Sequence, residues 1–283
     1  MMKPRRLFLM AGYSAKNIAD TALVYMVKRI SECGDVILVM DCDLPTAELK
    51  KIKPYVIHCA ATRHGEYDFG SYKRAYIYAA DNNLLKNYEF VYMVNDSVYG
   101  PIYPLEPVLK KIESCGYDAF GLVYNNHHKK PHLQSWFIGM RQSVFLSPWY
   151  DKFMRAITKQ SGKGQVIEMY EHGFTRMLDA HKIKYGAIYT TIGRRIYNHI
   201  RSFARAGLPF IKKCSFTRHN GCLAGGVIYA LNAGDASAKN AILTGARETY
   251  GDKYMNWFLT KNPIKLFWRR FTYTLRKIFI EGL

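Results

Sequence analysis

The stretch from Tyr92 to Leu105, YMVNDSVYGPIYPL, changes from apolar to polar in its middle. Its first residues end an apolar run, Phe90–Val94, whose β-branched and aromatic residues predict a short buried strand. Asn95, Asp96 and Ser97 follow at once, before a glycine and two prolines turn the chain away. Ligands bind at such strand ends in open α/β sheets, so these polar side chains are candidates for a binding site. The alternative is an Asx turn, in which they only cap the backbone.

This strand is one of several short apolar runs that alternate with helical patterns. Helices are predicted over Asn17–Cys33 and Ser71–Asn82, and four more strands in the segments RLFLMAGYS, DVILVMD, YVIHCA and YDAFGLVY. Short apolar strands separated by helices are typical of a mostly parallel sheet with helices on both faces. The predicted fold class is therefore α/β, doubly wound.

The pattern loosens after Tyr124. HLQSWFIGM predicts a strand with alternating polar and apolar positions, and SPWYDKFMRAIT predicts a helix with Ser147 as N-cap and Pro148 at its first position. VIEMYEHGFTRMLDAH predicts a second helix. From about Ile196 onward the chain is basic and helical in pattern. We therefore predict one domain over residues 1–215 and a basic helical extension over residues 216–283.

Composition limits the class of protein. The chain has 283 residues, of which 49% are hydrophobic, so it folds around a sizeable core. Its six cysteines are scattered singly, which favours reduced thiols in a cytoplasmic protein. We expect neither a signal peptide nor a membrane-spanning helix.

The formal net charge of +19 predicts a polyanionic partner. Nucleic acid, anionic lipid and phosphorylated small molecules all fit this charge. The chain contains no recognised nucleic-acid module, so we expect no nucleic-acid partner. The glycine-rich segment GCLAGGVIYALNAGDASAKN lacks the spacing of a phosphate-binding loop, which favours loop or helix-packing glycines.

An amphipathic helix is predicted near residues 263–281. On a helical wheel, one face carries Ile264, Phe267, Trp268, Phe271, Leu275, Ile278 and Phe279, and the other carries Lys265, Arg269, Arg270, Arg276 and Lys277. Aromatic residues opposite a basic face indicate a helix that lies on an anionic membrane surface. The alternative is a helix whose apolar face packs on the protein and whose charges are solvated.

Four motifs together resemble the rhamnan-synthesis F family of bacterial glycosyltransferases. They are YDFGSYKRAY, NDSVYGPIYPL, HLQSWF and LPFIKK, in this order, and the resemblance covers roughly residues 5–215. It implies a GT-A-like fold for the first domain. It also implies transfer of a sugar, often L-rhamnose, from a nucleotide-diphosphate donor to a cell-surface polysaccharide or a lipid-linked oligosaccharide.

The resemblance also implies a donor site at the strand ends. GT-A enzymes usually present Asp-x-Asp there, whereas this chain has Asn95-Asp96-Ser97. Asp96 with the donor's diphosphate can still hold Mg²⁺ or Mn²⁺. Without an ion, the nearest cations in sequence are Arg63, Lys73 and Arg74. The full set of predicted donor-binding residues is Gly12, Tyr13, Asp41, Arg63, Asp68, Gly70, Ser71, Lys73, Asn95, Asp96 and Ser97.

Three of these donor residues lie where the helix predicted at Ser71 begins. Gly70 and Ser71 would open the helix toward the phosphates. Asp68 would hold the base or ribose, or would simply be an acidic residue at a helix N-terminus.

Catalysis by inversion needs a general base near the acceptor hydroxyl. Glu171 matches the expected place, at the start of a late helix, and its alternative is a solvated helix acid. His132, Gln134, Ser135 and His172 are candidates for sugar or acceptor contacts, since alternation would place His132, Gln134 and Trp136 on one strand face.

Two hypotheses follow from the sequence. The first is a cytoplasmic glycosyltransferase at the inner face of the cell membrane. The second is a non-catalytic scaffold that binds lipid or polyanions and keeps a degenerate sugar-nucleotide fold. The first is the leading hypothesis, and the missing Asp-x-Asp is the feature that supports the second.

Overall fold

The computed structural model describes residues 5–280, and describes the side chains of all of these except residues 220 and 276–280. The strands are β1 (Arg6–Gly12), β2 (Asp35–Met40), β3 (His58–Ala61), β4 (Phe90–Asn95), β5 (Val98–Tyr99), β6 (Ala119–Asn125), β7 (His132–Leu133), β8 (Phe137–Arg141), β9 (Tyr185–Thr191) and β10 (Ile211–Lys212). The α-helices are α1 (Thr21–Ser31), α2 (Thr46–Ile52), α3 (Tyr67–Asp81), α4 (Glu106–Glu113), α5 (Gln142–Phe145), α6 (Pro148–Arg155), α7 (Lys163–Val166), α8 (His172–Ala180), α9 (Arg195–Asn198), α10 (Ile200–Arg205), α11 (Ala224–Ala233), α12 (Ala236–Tyr250), α13 (Asp252–Phe258) and α14 (Pro263–Ile280).

The chain forms two compact units. Of the described residues, unit 1 contains 5–19, Leu23–Asp96 and Pro104–Gly193, and unit 2 contains Asp20–Ala22, Ser97–Tyr103 and 194–280. This division differs from the predicted boundary between residues 215 and 216. The reason is that β10 pairs antiparallel with β5, which places two segments distant in sequence in unit 2.

Unit 1 contains a mixed sheet of eight strands. Its order is β3-β2-β1-β4-β8-β6-β7, and β9 pairs with β6 beside that path. Strands β1 to β4 are parallel to one another, and β6 is parallel to β9. Strand β8 runs antiparallel to both β4 and β6 and so joins the two parallel parts. This mostly parallel sheet with its helices confirms the α/β prediction.

Helices cover both faces of this sheet because its central strands are apolar on both sides. On one face, Leu7, Leu9, Val91 and Met93 pack with buried residues of α3, α6 and α8. On the other face, Tyr92 stacks on Phe8 with ring centroids 4.9 Å apart, and its hydroxyl donates to Glu113 of α4 at 2.5 Å. Because β1, β2 and β4 are parallel, their carboxyl ends lie at the same end of the sheet.

Some predicted helices are confirmed and others begin elsewhere. Helix α6 starts at Pro148, and the Ser147 hydroxyl accepts from the Tyr150 N–H, as expected of an N-cap. Helix α1 starts at Thr21 rather than Asn17, and Asn17 has a left-handed φ of 52° that no residue of a right-handed helix adopts. The π-helical turn Ile167–Glu171 precedes α8 within the second predicted helix.

Unit 2 is mainly helical. The glycine-rich segment forms α11 instead of a loop, which agrees with packing glycines. Helix α14 spans Pro263–Ile280. The side chains of Arg276, Lys277, Ile278 and Phe279, which the helical wheel assigned to faces, lie outside the described part of the chain. Over residues 5–280, no helix is both long and apolar enough to cross a membrane. All six cysteines are free thiols.

Candidate functional site

Asp41 ties the end of β2 to the start of α3. Its backbone N–H donates to the Gly12 carbonyl at 2.9 Å. Its carboxylate accepts three backbone N–H groups, from His64 at 2.7 Å, Gly65 at 2.8 Å and Tyr67 at 3.3 Å. Asp41 is 8% exposed. The backbone amides at the start of α3 therefore bond to Asp41. The sequence had predicted instead that Asp41 and this helix start both contact the nucleotide-sugar donor.

Gly70 and Ser71 do not open the helix, and the prediction that they face phosphates there is wrong. Helix α3 begins at Tyr67, so both residues lie inside it. Ser71 is fully buried, and its hydroxyl bonds the His64 ring at 3.0 Å. A Cβ at Gly70 would lie 2.3 Å from Cβ of Glu66 and 2.9 Å from the His64 ring. Both residues pack the start of the helix.

His64, which the sequence reasoning missed, holds this helix start as a neutral ring. Burial lowers the pKa of His64, and the nearby Arg74 lowers it further. Nδ1 of the ring accepts from the Glu66 N–H at 3.1 Å, so the other nitrogen carries the proton and donates to Ser71. A histidine in a polar loop gives no sequence signal for such a role.

The end of β4 meets the first turn of α3. The Asn95 side-chain amide donates to the Asp68 carboxylate at 2.9 Å, across 27 residues of sequence. The next residue, Asp96, donates its backbone N–H to the Ala11 carbonyl at 3.1 Å. Two segments that the sequence assigned to the donor site are therefore side by side at the carboxyl end of the parallel strands.

The buried hydroxyl of Tyr72 is influenced by acidic residues of the predicted donor site and by the predicted general base. It donates to the Ser135 carbonyl at 3.0 Å. Burial raises the pKa of Tyr72 well above its usual value, and the charges of Asp68, Glu171 and Asp96 raise it further. These three carboxylates are thus near one side chain, which joins the predicted donor residues to the predicted base.

Glu171 is hydrogen-bonded through both carboxylate oxygens. Oε1 lies 3.0 Å from Nε2 of His132, and Oε2 accepts the Ser135 hydroxyl at 2.5 Å. Nδ1 of His132 lies 2.8 Å from the Lys130 carbonyl. Both ring nitrogens face oxygen acceptors, so both carry protons and the ring is an imidazolium. Glu171 is the last residue of the π-helical turn, a feature frequent at functional sites.

The other residues predicted to contact the acceptor or the sugar lie close to the His132–Glu171 pair. The His172 ring lies 4.5 Å from the His132 ring, centroid to centroid, and its Nδ1 is 3.0 Å from Glu168. Gln134 accepts from the Trp136 indole at 2.7 Å. The chain turns at residues 134–136, between β7 and β8. The prediction that His132, Gln134 and Trp136 share one strand face is therefore wrong.

All three predicted donor-site cations have protein partners. Lys73 donates to the Ile157 carbonyl at 2.7 Å, and Arg74 pairs with Glu66 at 2.7 Å. Arg63 is exposed, with its guanidinium 6.0 Å from the ring centroid of Tyr13 and 4.0 Å from Asp43. Tyr13 is 51% exposed. Arg63 and Tyr13 are therefore accessible to a ligand.

Ser97 belongs to unit 2. Its hydroxyl accepts from the ammonium of Lys212 at 3.0 Å, and its carbonyl accepts from the Lys213 N–H at 2.9 Å.

The side chains do not form a complete cation site by themselves. Over residues 5–280 there is no group of three or more His, Cys, Asp or Glu side chains arranged to hold a metal ion. One oxygen of Asp68 accepts the Asn95 amide. The described side chains therefore do not supply enough ligands to hold a metal ion without the diphosphate.

The polar side chains of this α/β sheet are gathered where its parallel strands end, which is the position where open α/β sheets bind their ligands. The sequence profile of the family described as "Rhamnan synthesis protein F" matches residues 36–276, and the chain belongs to this family. The match extends beyond the predicted range of residues 5–215 and includes most of the helical C-terminal part.

A curated relative in Sinorhizobium fredii, described as "Uncharacterized protein y4gN", is 23% identical over 167 residues. The match covers 58% of this chain and 43% of that protein, so the chain spans less than half of its relative. Among solved structures, a putative nucleotide-diphospho-sugar transferase from Desulfovibrio desulfuricans is 16% identical, with a TM-score of 0.42 over 91% of this chain and 99% of that one. The glycosyltransferase GlyE of Streptococcus pneumoniae is 12% identical, with a TM-score of 0.40 over 77% of this chain and 52% of that one.

Proposed function

We propose that this protein transfers a sugar from a nucleotide-diphosphate donor to a cell-surface polysaccharide or lipid-linked oligosaccharide, using a GT-A-like donor site. Membership of a rhamnan synthesis family supports this function and makes L-rhamnose the first sugar to test. The observation that carries the proposal is the bond of 2.9 Å between Asn95 and Asp68. It brings the strand end that carries Asp96 against the first turn of α3, as a shared donor site requires.

In the proposed reaction, Glu171 is the general base and the anomeric carbon is inverted. The Ser135 hydroxyl bonded to Oε2 marks the lone pair that an acceptor hydroxyl would use. The acceptor hydroxyl gives its proton to Glu171 while the acceptor oxygen forms a bond to the anomeric carbon. The bond from this carbon to the diphosphate breaks, and the nucleotide diphosphate leaves with the electron pair. The His132 imidazolium holds the carboxylate in place.

The leaving diphosphate needs positive charge nearby. Arg63 is the side chain that we assign to this role, because it is exposed and its contact with Asp43 is long, at 4.0 Å. Lys73 and Arg74 each make a bond of 2.7 Å to the protein. A Mg²⁺ or Mn²⁺ ion that arrives with the donor would have Asp96 as its protein ligand and diphosphate oxygens as the others. His132, Gln134, Ser135 and His172 stay candidates for acceptor contacts.

The place of action that we propose is the cytoplasmic surface of the cell membrane. Helix α14 carries aromatic side chains that are exposed to solvent, among them Phe267 at 63% and Trp268 at 57%. Such side chains next to basic residues bind anionic membrane surfaces. The rival function, a non-catalytic lipid- or polyanion-binding scaffold, shares this surface and differs in having no turnover.

Turnover with purified protein tests the proposal. Release of nucleotide diphosphate is measured across a panel of nucleotide-diphosphate sugars, with Mg²⁺, with Mn²⁺ and with chelator. Glu171→Gln should lower kcat by about 10²–10⁴-fold, the usual contribution of a general base. Asp96→Asn should lower turnover by roughly 10²-fold, because the ion that would stabilise the developing charge loses its protein ligand.

Asp179→Asn is the matched control, because Asp179 is an exposed carboxylate of α8 that bonds Tyr185 at 2.9 Å. It should leave turnover unchanged. Absence of turnover and of any thermal shift across the whole panel would contradict the proposal and support the scaffold.

A further inference from the structure

Unit 2 contains a groove between α13 and α14 that the proposed reaction does not use. Its volume is about 710 Å³. Trp257 and Lys253 line it from α13, and Lys265, Trp268 and Arg269 line it from α14. Among the described residues that line the groove, none is acidic. Asp252, which precedes the lining residue Lys253 in sequence, pairs with Arg247 at 2.9 Å.

Arg269 is the unusual member of this lining. The helical wheel placed it on the basic face, but it is only 5% exposed. Its guanidinium donates to the carbonyls of Gly221 and Phe258, each at 3.1 Å, and to the Trp257 carbonyl. It lies 4.4 Å from the centroid of the Trp257 ring. Arg269 thus fixes α14 against the rest of unit 2.

Among the described residues, no acid pairs with the charge of Arg269. Its hydrogen bonds reach only carbonyl oxygens, and its buried Nε has no hydrogen-bond partner among the described residues. A buried cation is costly unless an anion pairs with it, and a guanidinium binds phosphate oxygens especially well. Together with Lys253 and Lys265, both exposed, this groove has the charge of a phosphate site.

The groove is continuous with an apolar surface of α14. Trp268 lines the groove and also contacts Phe271, with ring centroids 5.7 Å apart. Phe267 stacks on Phe271, with the two rings 10° from parallel. Phe267 is 63% exposed, Trp268 is 57% exposed and Phe271 is 45% exposed. Exposed aromatic residues of this kind enter the boundary between lipid headgroups and acyl chains.

We propose that this groove binds the phosphate group of an anionic membrane lipid, while the adjacent aromatic residues of α14 enter the lipid layer. The inference rests on the membrane association in the proposed function and gives it a defined site. Trp257 and Trp268 form the walls, and Lys253, Lys265 and Arg269 supply the charge.

Sedimentation of the full chain with vesicles tests this site. One set of vesicles contains phosphatidylcholine alone and the other adds phosphatidylglycerol. Replacing Arg269 would also release α14, so the test variant is the double change Lys253→Gln and Lys265→Gln. The matched control is Lys110→Gln and Lys111→Gln, two exposed lysines of α4. The groove variant should lose roughly 30-fold in affinity for anionic vesicles, from about 1 kcal/mol per charge, and the control much less.

Equal losses in the two variants would overturn the site, because general charge attraction would then explain binding. A thermal shift with glycerol phosphate, but no sedimentation with either vesicle, would overturn the lipid as the source of phosphate. Nucleotide release without vesicles is measured on the same preparations. Release that persists when vesicle binding fails leaves the proposed reaction standing and refutes only the groove. Vesicle binding without release refutes the reaction and leaves the groove supported.

Discussion

His132 shows how one residue ties stability to pH. Burial alone would lower the pKa of His132, but the bonds to Glu171 and to the Lys130 carbonyl outweigh burial, and its pKa is raised. The neighbouring titratable groups are His172, whose ring is 4.5 Å away, and Glu168 beyond it. A histidine whose pKa is raised by folding contributes stability below its unfolded pKa. That contribution is lost as the pH rises through the folded value.

His132→Gln should therefore destabilise the protein most in mild acid. We expect a loss of about 1–3 kcal/mol at about pH 5.5, from the hydrogen bonds to a charged group, and a smaller loss at about pH 8.5. Urea unfolding at both values measures this. His128→Gln, a change at an exposed loop histidine, is the control and should give little loss at either pH. A loss from His132→Gln that grows with pH would show that the ring is neutral in the folded protein.

Individual roles in the site could be predicted only in part. The polar residues at the end of β4 and the acid in the α3 segment were found from strand-end chemistry, and they do meet. The partners of Asp41 lie 23 to 26 residues further along the chain, so no local pattern reveals that its carboxylate is already bonded to backbone. Lys73 is similar, since its acceptor at Ile157 is 84 residues away.

At the scale of elements, sequence patterns predicted the type of the elements that they detected better than the ends of those elements, and they did not detect β9. Periodicity identified the apolar strands β1, β2 and β4 and the helix that forms most of α3. The first turn of α3 was missed because it begins with Tyr67 at a φ of 58°, held by Asp41 rather than by its own propensity. The segment HLQSWFIGM alternates like a strand, but it is interrupted where the Ser135 carbonyl turns to Tyr72.

Gly70→Ala tests whether packing or helix propensity governs the start of α3. Alanine is the better helix former by about 1 kcal/mol, so propensity alone predicts stabilisation. The added Cβ would collide with Glu66 and the His64 ring, and we expect a net loss of about 1–3 kcal/mol. Urea unfolding measures the change. Gly225→Ala in α11 is the control, because its nearest neighbour is the end of the Arg201 side chain at 3.6 Å, and it should be neutral or slightly stabilising.

At the scale of the whole molecule, two terms contribute to the proposed membrane association. The net charge of +19 attracts any anionic surface, and salt screens this attraction over a Debye length of about 10 Å at 0.1 M and about 3 Å at 1 M. The apolar term comes from the exposed rings of α14 and is not screened. Charge could be read directly from the composition. The orientation of α14 could not, because it is set by the buried Arg269 and its carbonyl partners.

Salt separates these two terms. The double change Phe267→Ser and Phe271→Ser should bind vesicles containing phosphatidylglycerol at 0.1 M salt, though more weakly than the wild type, and should lose binding at 1 M salt. The wild type should keep part of its binding at 1 M, because burial of each aromatic ring contributes about 1.5–3 kcal/mol without any charge. Ile57→Ser, at a side chain of unit 1 that is 47% exposed, is the control and should behave as the wild type does. Identical salt curves for all three proteins would mean that charge alone binds the surface and that α14 does not enter the lipid.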